Sequence, residues 1–339
     1  MKTNINAAKR FYQIEDNSSC GVGLIVDLSI NKSHQVIEDA AILLSNLKHR
    51  AAIGSDPLLG DGSGFTFAIP DLFLRKTYPI LPEIGQYGVG LFFIFGSVNA
   101  HITTLTHIAQ QCDCDILAVD EEPVNNTYLS KSLKKQAPAI TRIIFIPNNP
   151  ISEFDLNKQF YKIRIYYEKW LAQQDDLIAQ SHIASLSTRL IIYKALVLPE
   201  HLKSFYVNLS NPSFQSHFAI IHSRYSTNTL PNWSLVQPCQ FLAHNGEINT
   251  LKGAIAGMKA ILPKYNSDDF GKQPINFNTQ NLLSDSMWLN KWVEYLYFSG
   301  KSLAEIFSFC LPQSAAQSTQ MGDKIRAFYR YHAAQIVPW

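Results

Sequence analysis

Cys20 is the first residue of this sequence whose side chain could carry out chemistry. It opens the run Cys-Gly-Val-Gly, and the apolar residues at 22–27 predict a buried strand. A cysteine beside small residues at the edge of a strand is open to a substrate, and its thiolate is a nucleophile. The alternative is a small buried hydrophobic side chain, the more common environment of a free cysteine. No spacing assigns a catalytic triad, although His222 and His244 could each supply a base.

A polar cluster follows a predicted strand at residues 221–229, Ile-His-Ser-Arg-Tyr-Ser-Thr-Asn-Thr. Its Arg224 carries a planar guanidinium that suits a carboxylate ligand. The alternative is an ordinary surface or ion-pair arginine. His222 ends the apolar stretch, a position where a hydrogen-bonded structural histidine is more common than a base or a ligand.

A second polar cluster lies at residues 243–250, Ala-His-Asn-Gly-Glu-Ile-Asn-Thr. Asn245-Gly246 is typical of a hairpin turn, and the local sequence favours that interpretation. The alternative is an oxyanion hole made of the Asn245 side-chain amide and the Gly246 N–H. His244 belongs to no metal-binding spacing, and the glycine-rich residues 54–64 match no nucleotide- or calcium-binding pattern. We therefore expect no metal.

The composition limits the class of protein. The chain has 339 residues, of which 46% are hydrophobic and 17% charged, so a sizeable core is expected. A net charge of +2 gives no electrostatic reason to expect nucleic acid or a membrane surface as a partner. No apolar run is long enough to span a membrane, and the N-terminus has no apolar signal segment. The five cysteines are therefore expected to be reduced thiols in a cytoplasmic protein.

Many strands with few intervening helices predict an α+β fold rather than a doubly wound parallel sheet, in one domain. Ser33 is expected to cap a helix that reaches about His49. Val36, Ile37, Ala40, Leu43, Leu44 and Leu47 lie on one stripe of that helix. Other predicted strands are residues 89–95, 142–146, 189–192 and 218–222. Other predicted helices are residues 161–179, 249–262, 284–298 and 303–309.

Several motifs together resemble one family, the N-terminal glutaminase domain of the glutamate synthase large subunit, a class II glutamine amidotransferase. The resemblance covers about residue 12 to the last residue. The matching motifs are CGVG at 20–23, HRAAIGSDPLLGDGSG at 49–64, SLSTR at 185–189, YK at 193–194, FYVNL at 205–209, HSRYSTNT at 222–229, HNGEINTLKG at 244–253, SDS at 284–286 and FYRYHAAQIVPW at 328–339.

The resemblance implies an N-terminal-nucleophile hydrolase, a four-layer αββα sandwich of two antiparallel sheets flanked by helices. It implies that residues 1–19 are a propeptide and that residues 20–339 are the amidotransferase domain, truncated at its C-terminal end. Removal of the propeptide would make Cys20 the first residue, whose free α-amine serves as the base. The resemblance also implies specific site residues. Asn245 and Gly246 would form the oxyanion hole, Arg224 and Asp285 would bind the α-carboxylate and α-ammonium of L-glutamine, and Thr227 would line the pocket.

The resemblance further implies that this chain holds no cofactor. The family's FMN, iron–sulfur cluster and 2-oxoglutarate site belong to a synthase portion beyond Trp339, so a separate synthase-like polypeptide is the expected acceptor of ammonia. Ala51, Ala195 and Asn290 replace residues that are usual in the family. Two alternatives to an active glutaminase therefore stay open. One is a non-catalytic remnant or binding module, and the other is an amidohydrolase of the same fold with a different substrate.

Overall fold

The computed structural model contains two antiparallel four-stranded sheets surrounded by helices. It describes residues 21–50, 58, 60–224, 231–246, 248, 250–265, 270, 275, 277, 283–311, 321–334 and 339. The strands of sheet one, in spatial order, are β1 (Val22–Val26), β8 (Phe218–Ser223), β2 (Ser63–Ala68) and β7 (Leu190–Ala195). Those of sheet two are β4 (Cys114–Glu121), β5 (Ala139–Pro147), β3 (Gly88–Ile94) and β6 (His182–Ser187).

Ten α-helices lie within the described residues, and together with the two sheets they confirm the predicted α+β sandwich of N-terminal-nucleophile type. They are α1 (Gln35–Asn46), α2 (Asp71–Thr77), α3 (Val98–Gln111), α4 (Lys131–Lys135), α5 (Glu153–Leu171), α6 (Leu202–Phe205), α7 (Leu251–Ile261), α8 (Asp285–Phe298), α9 (Leu303–Cys310) and α10 (Asp323–Ala333). None of these helices is both long and apolar enough to cross a membrane.

The largest hydrophobic cluster joins the two sheets. Phe65 of β2, Tyr193 of β7 and Ile221 of β8 lie in it together with Phe93 of β3 and Ile144 of β5, and all five side chains are fully buried. Full burial of each such side chain contributes about 1.5–3 kcal/mol. Burial between the sheets therefore fixes the strands whose ends carry the polar clusters.

Two further clusters hold the helices in place. One joins the other side chains of sheet two, such as Phe92 and Phe145, to α3 and α5. The other joins α5, α7, α8 and α9 and includes the fully buried Trp288 and Trp292. The second of these clusters fixes α8, which begins at Asp285.

Most of the predicted elements are confirmed, with errors at the ends of two helices. The buried stripe of α1 is as predicted, but Ser33 does not cap the helix, since it pairs with Ser216 in an isolated β-bridge and the helix begins two residues later. The helix predicted at 161–179 is α5, which begins and ends eight residues earlier, at Glu153 and Leu171. Ser152 is the N-cap and accepts a hydrogen bond from the Asp155 N–H.

Candidate functional site

The site lies at one end of sheet one, where the ends of β1, β2 and β8 lie side by side. Val22 of β1 is opposite His222 of β8, and Ser63 of β2 is opposite Ser223. Because both pairings are antiparallel, the starts of β1 and β2 flank the end of β8. The residues just outside these strands, Gly21, 61–62 and Arg224, are therefore brought together by the hydrogen-bond register of the sheet.

Gly21 connects two parts of this edge. Its carbonyl oxygen accepts a hydrogen bond from the Ser223 N–H at 2.7 Å. A Cβ atom added to Gly21 would lie 2.4 Å from the Ser223 carbonyl oxygen and 3.2 Å from Asn245 Nδ2. Only glycine permits this approach, which places the Asn245 amide against the residue that follows Cys20. Cys20 itself lies outside the described residues.

Arg224 follows β8 and is buried, with 6% of its surface exposed. Its backbone N–H donates to the Gly62 carbonyl at 2.9 Å, and its Nη1 donates to the Asp61 carbonyl at 3.3 Å. Burial lowers the pKa of Arg224, and the nearby carboxylates of Asp61 and Asp285 oppose that shift. The guanidinium offers a planar set of N–H donors that matches a carboxylate ligand.

Asp285 is the first residue of α8, directly after the N-cap Ser284. Its Oδ1 accepts hydrogen bonds from the Ser286 N–H at 2.6 Å and from the Ser286 hydroxyl at 3.1 Å. Its Oδ2 accepts one from the Ile248 N–H at 3.3 Å. Asp285 and Arg224 thus place opposite charges near each other from different layers of the fold, as recognition of an amino acid requires.

Residues 231–246 lie between the end of sheet one and the start of α8 and contain no strand. The hairpin favoured by the local sequence at Asn245-Gly246 is not seen, since none of the described residues at 231–246, 248 and 250 belongs to a β-strand. Instead, Gln237 anchors the segment. Its Nε2 donates to the Ser286 hydroxyl at 3.1 Å, and its Oε1 accepts from the His244 N–H at 3.2 Å. This anchoring leaves Asn245 and Gly246 exposed at the site.

His222 holds the same segment from the sheet side. Its Nε2 lies 3.0 Å from the His244 carbonyl oxygen, to which it donates, and burial lowers its pKa to about 4. Its Nδ1 is buried with no hydrogen-bond partner within the described chain. His222 is therefore a neutral structural histidine, and the geometry gives no support to a role as the base.

His244 has both ring nitrogens engaged. Nδ1 accepts a hydrogen bond from the Gly246 N–H at 2.9 Å, and Nε2 lies 2.8 Å from the Ser286 hydroxyl oxygen. Burial lowers the pKa of His244, with a smaller opposing effect of Asp285. The N–H assigned to the oxyanion hole is thus already paired in this structure.

The structure places Arg224, Asn245, Gly246 and Asp285 in one region, whereas Cys20 and Thr227 lie outside the described residues. Three further contributors were not singled out from the sequence: Asp61, Gln237 and Ser286. Ser286 and Asp61 lie in motifs that carry the family resemblance, at 284–286 and 49–64, but nothing in the local sequence pointed to Gln237.

Metal and disulfide chemistry find no support in the described part of the chain. No group of three or more His, Cys, Asp or Glu side chains there could hold a metal ion. The four cysteines within the same ranges, Cys112, Cys114, Cys239 and Cys310, are free and buried.

Comparison with known proteins agrees with this geometry. Residues 20–339 match the family model described as "Glutamine amidotransferases class-II". The chain is 33% identical to the glutamate synthase [NADPH] large chain of Bacillus subtilis, over 98% of this chain and 22% of that protein. It is 32% identical to the ferredoxin-dependent glutamate synthase of Antithamnion sp., over 96% and 22%, and to the glutamate synthase [NADH] of Schizosaccharomyces pombe, over 96% and 16%. The chain therefore spans about a fifth of the length of the curated relatives it matches.

Proposed function

We propose that this chain, which belongs to the class II glutamine amidotransferases, hydrolyses L-glutamine to glutamate and ammonia through a thioester on Cys20. Glutamine hydrolysis is the general activity of the family. The observation that carries the proposal is the packing of Gly21. The residue next to the nucleophile accepts a hydrogen bond from Ser223, which precedes Arg224, and a Cβ atom added to it would lie 3.2 Å from Asn245 Nδ2.

The chemistry would begin with removal of residues 1–19. A free α-amine has a pKa of about 7.7–8.0, near that of a thiol, so the amine of Cys20 can accept the thiol proton at neutral pH. The thiolate then attacks the side-chain amide carbon of glutamine. Ammonia leaves with the proton held by the amine, and water hydrolyses the thioester to glutamate.

The remaining residues have separate roles in this scheme. Asn245 Nδ2 and the Gly246 N–H would stabilise the oxyanion of the tetrahedral intermediates, a type of contact worth about 3–4 kcal/mol per donor. Arg224 would bind the α-carboxylate, and Asp285 the α-ammonium. Recognition of both charged groups would select a free amino acid over a simple amide, and Thr227 would line the same pocket.

The test measures processing and turnover on one sample. Intact-mass spectrometry gives the fraction of chains that begin at Cys20, and ammonia release from glutamine gives the rate. We expect the rate to scale with the processed fraction and to be absent in Cys20→Ala, whose fold should be retained. Full activity from a chain that begins at Met1 would refute the role of the α-amine. A fully processed chain without activity would favour a non-catalytic domain.

The acceptor of ammonia is a second part of the proposal. The relatives are glutamate synthases of about five times the aligned length, so we infer that a synthase-like polypeptide or segment receives the ammonia and carries the FMN and iron–sulfur cluster. Adding such a polypeptide should raise glutamine hydrolysis. Equal rates with and without it would argue against this coupling.

A further inference from the structure

The hydrogen bond between Gly246 and His244 carries an inference that rests on the proposed function and deepens it. A backbone N–H has one hydrogen, and that of Gly246 is donated to His244 Nδ1 at 2.9 Å. The same hydrogen cannot also form a full hydrogen bond to an oxyanion. In this structure the oxyanion hole is therefore incomplete, although both of its residues are exposed at the site.

The tautomer of His244 follows from its partners. Because Nδ1 accepts from Gly246, the proton of the neutral ring resides on Nε2, which donates to the Ser286 hydroxyl oxygen at 2.8 Å. The lowered pKa of His244 agrees with a neutral ring at pH 7. The ring therefore joins the Gly246 N–H to the first turn of α8.

The Ser286 hydroxyl makes all three of the hydrogen bonds that it can make. A serine hydroxyl has one hydrogen to donate and two lone pairs to accept with. It accepts from His244 Nε2 and from Gln237 Nε2 at 3.1 Å, so its own hydrogen is left for Asp285 Oδ1 at 3.1 Å. One directed chain of hydrogen bonds thus runs from Gly246 through His244 and Ser286 to Asp285, the carboxylate assigned to the substrate.

We propose that His244 is a positioning residue that keeps the Gly246 N–H out of the oxyanion hole until an amino acid's ammonium group binds Asp285. The ammonium displaces the Ser286 hydroxyl from Asp285 Oδ1. The hydroxyl then donates to His244 Nε2, which gives up its proton to solvent while Nδ1 takes one from solvent. With a proton on Nδ1 the ring can no longer accept from Gly246, and that N–H turns to the oxyanion. The ring gains no net charge in this step.

If His244 controls the Gly246 N–H, two substitutions at His244 should differ in their effect on kcat. His244→Asn retains an acceptor for the Gly246 N–H, because an asparagine side chain accepts from the N–H two residues on, but it cannot change tautomer. We expect its kcat to fall about tenfold, the equivalent of one retained hydrogen bond. His244→Ala has no acceptor that holds the Gly246 N–H, so its kcat should exceed that of His244→Asn at least about threefold. Ser286→Ala should resemble His244→Asn.

Binding of the product glutamate separates this role from a structural one. His244→Asn and His244→Ala keep Arg224, Asp285 and Ser286, so both should still bind glutamate, with a Kd within about tenfold of the wild type, the equivalent of the one hydrogen bond coupled to binding. His34→Asn is the matched control, since His34 lies away from the site and also has both ring nitrogens in contact, with the Phe214 carbonyl and Glu38. It should change neither constant.

A second measurement does not depend on whether His244→Ala folds. Ring ¹⁵N shifts of His244, assigned by their loss in His244→Asn, report the tautomer directly. In Cys20→Ala protein the proton should move from Nε2 to Nδ1 when glutamate binds. An unchanged tautomer, or a His244→Ala protein that loses as much kcat as His244→Asn, would overturn the proposal. If the processed wild-type chain turns over no glutamine, the proposed function fails, and the shifts still decide the role of His244.

Discussion

Substitution of Gly21 by alanine tests whether the nucleophile is placed by the contact between β1 and β8. The added Cβ would lie 2.4 Å from the Ser223 carbonyl oxygen, whereas ordinary carbon–oxygen contacts are about 3.3 Å or longer. Ser223 is paired with Ser63 in the sheet and cannot retreat without breaking that register. The backbone at Gly21, and Cys20 with it, must therefore move by about 1 Å.

A displacement of this size is expected to lower the rate of the chemical step. A reacting group misplaced by about 1 Å costs about 10²-fold in rate, or about 2.7 kcal/mol. Overpacking costs a further ~1–3 kcal/mol in stability. We expect Gly21→Ala to lower kcat/KM for glutamine about 100-fold, measured per chain that mass spectrometry shows to begin at Cys20. Urea denaturation measures the separate loss of stability.

Gly23→Ala is the matched control on the same strand. The nearest atoms to its Cβ would be side-chain atoms, Leu43 Cδ2 at 2.9 Å and Ile221 Cγ1 at 3.0 Å, so the strain falls on the packing of the core rather than on the backbone next to Cys20. We expect a comparable loss of stability but less than about a threefold loss of kcat/KM. If both alanine variants are equally active, the close approach at Gly21 does not position the nucleophile and the reasoning is refuted.

Three further predictions concern the substrate-binding charges, the oxyanion hole and pH. Arg224→Lys and Asp285→Asn should each weaken glutamate binding to Cys20→Ala protein at least about tenfold by calorimetry, since charge-assisted hydrogen bonds contribute about 1.5–3 kcal/mol. Unchanged affinity would remove both residues from the substrate site. Asn245→Ala should lower kcat about 10²–10³-fold with little change in KM, because the oxyanion exists only around the transition state. A normal kcat would exclude it from the hole. Burial lowers the pKa of His222 from 6.5 to about 4, so the unfolded chain binds the proton more tightly and stability falls as pH drops from about 6.5 towards 4. The loss at pH 5 should be about 2 kcal/mol in urea denaturation, and equal pH dependence of His222→Gln would contradict this origin.

The strands with the strongest apolar runs could be predicted from the sequence, and the others could not. β3 and β5 are buried on both faces, so their residues form nearly continuous hydrophobic runs. β4 is an edge strand whose exposed positions include Asp115, and its acidic residues interrupt the apolar run. The early start of α5 depends on the Ser152 cap, a signal that hydrophobic periodicity does not contain.

The site residues could be named from their motifs, but their arrangement could not. Local sequence at Asn245-Gly246 favours a hairpin, and only the anchoring of this segment by Gln237 and His222 excludes one. Likewise, nothing near Arg224 in the sequence indicates that Asp285, about 60 residues later, lies beside it. That proximity depends on the order of strands in sheet one and on the position of α8.

The two charged groups that would bind the amino acid belong to different layers of the fold, so the packing of these layers should control the affinity for glutamine. Arg224 is fixed by sheet one through Gly62 and Asp61, whereas Asp285 is fixed by α8. The position of α8 depends on the cluster around Trp288 and Trp292, which also includes side chains of α5, α7 and α9. A change in that cluster alters the distance between the charges without touching Cys20. Such a change should therefore alter glutamine binding more than it alters the rate of the chemical step.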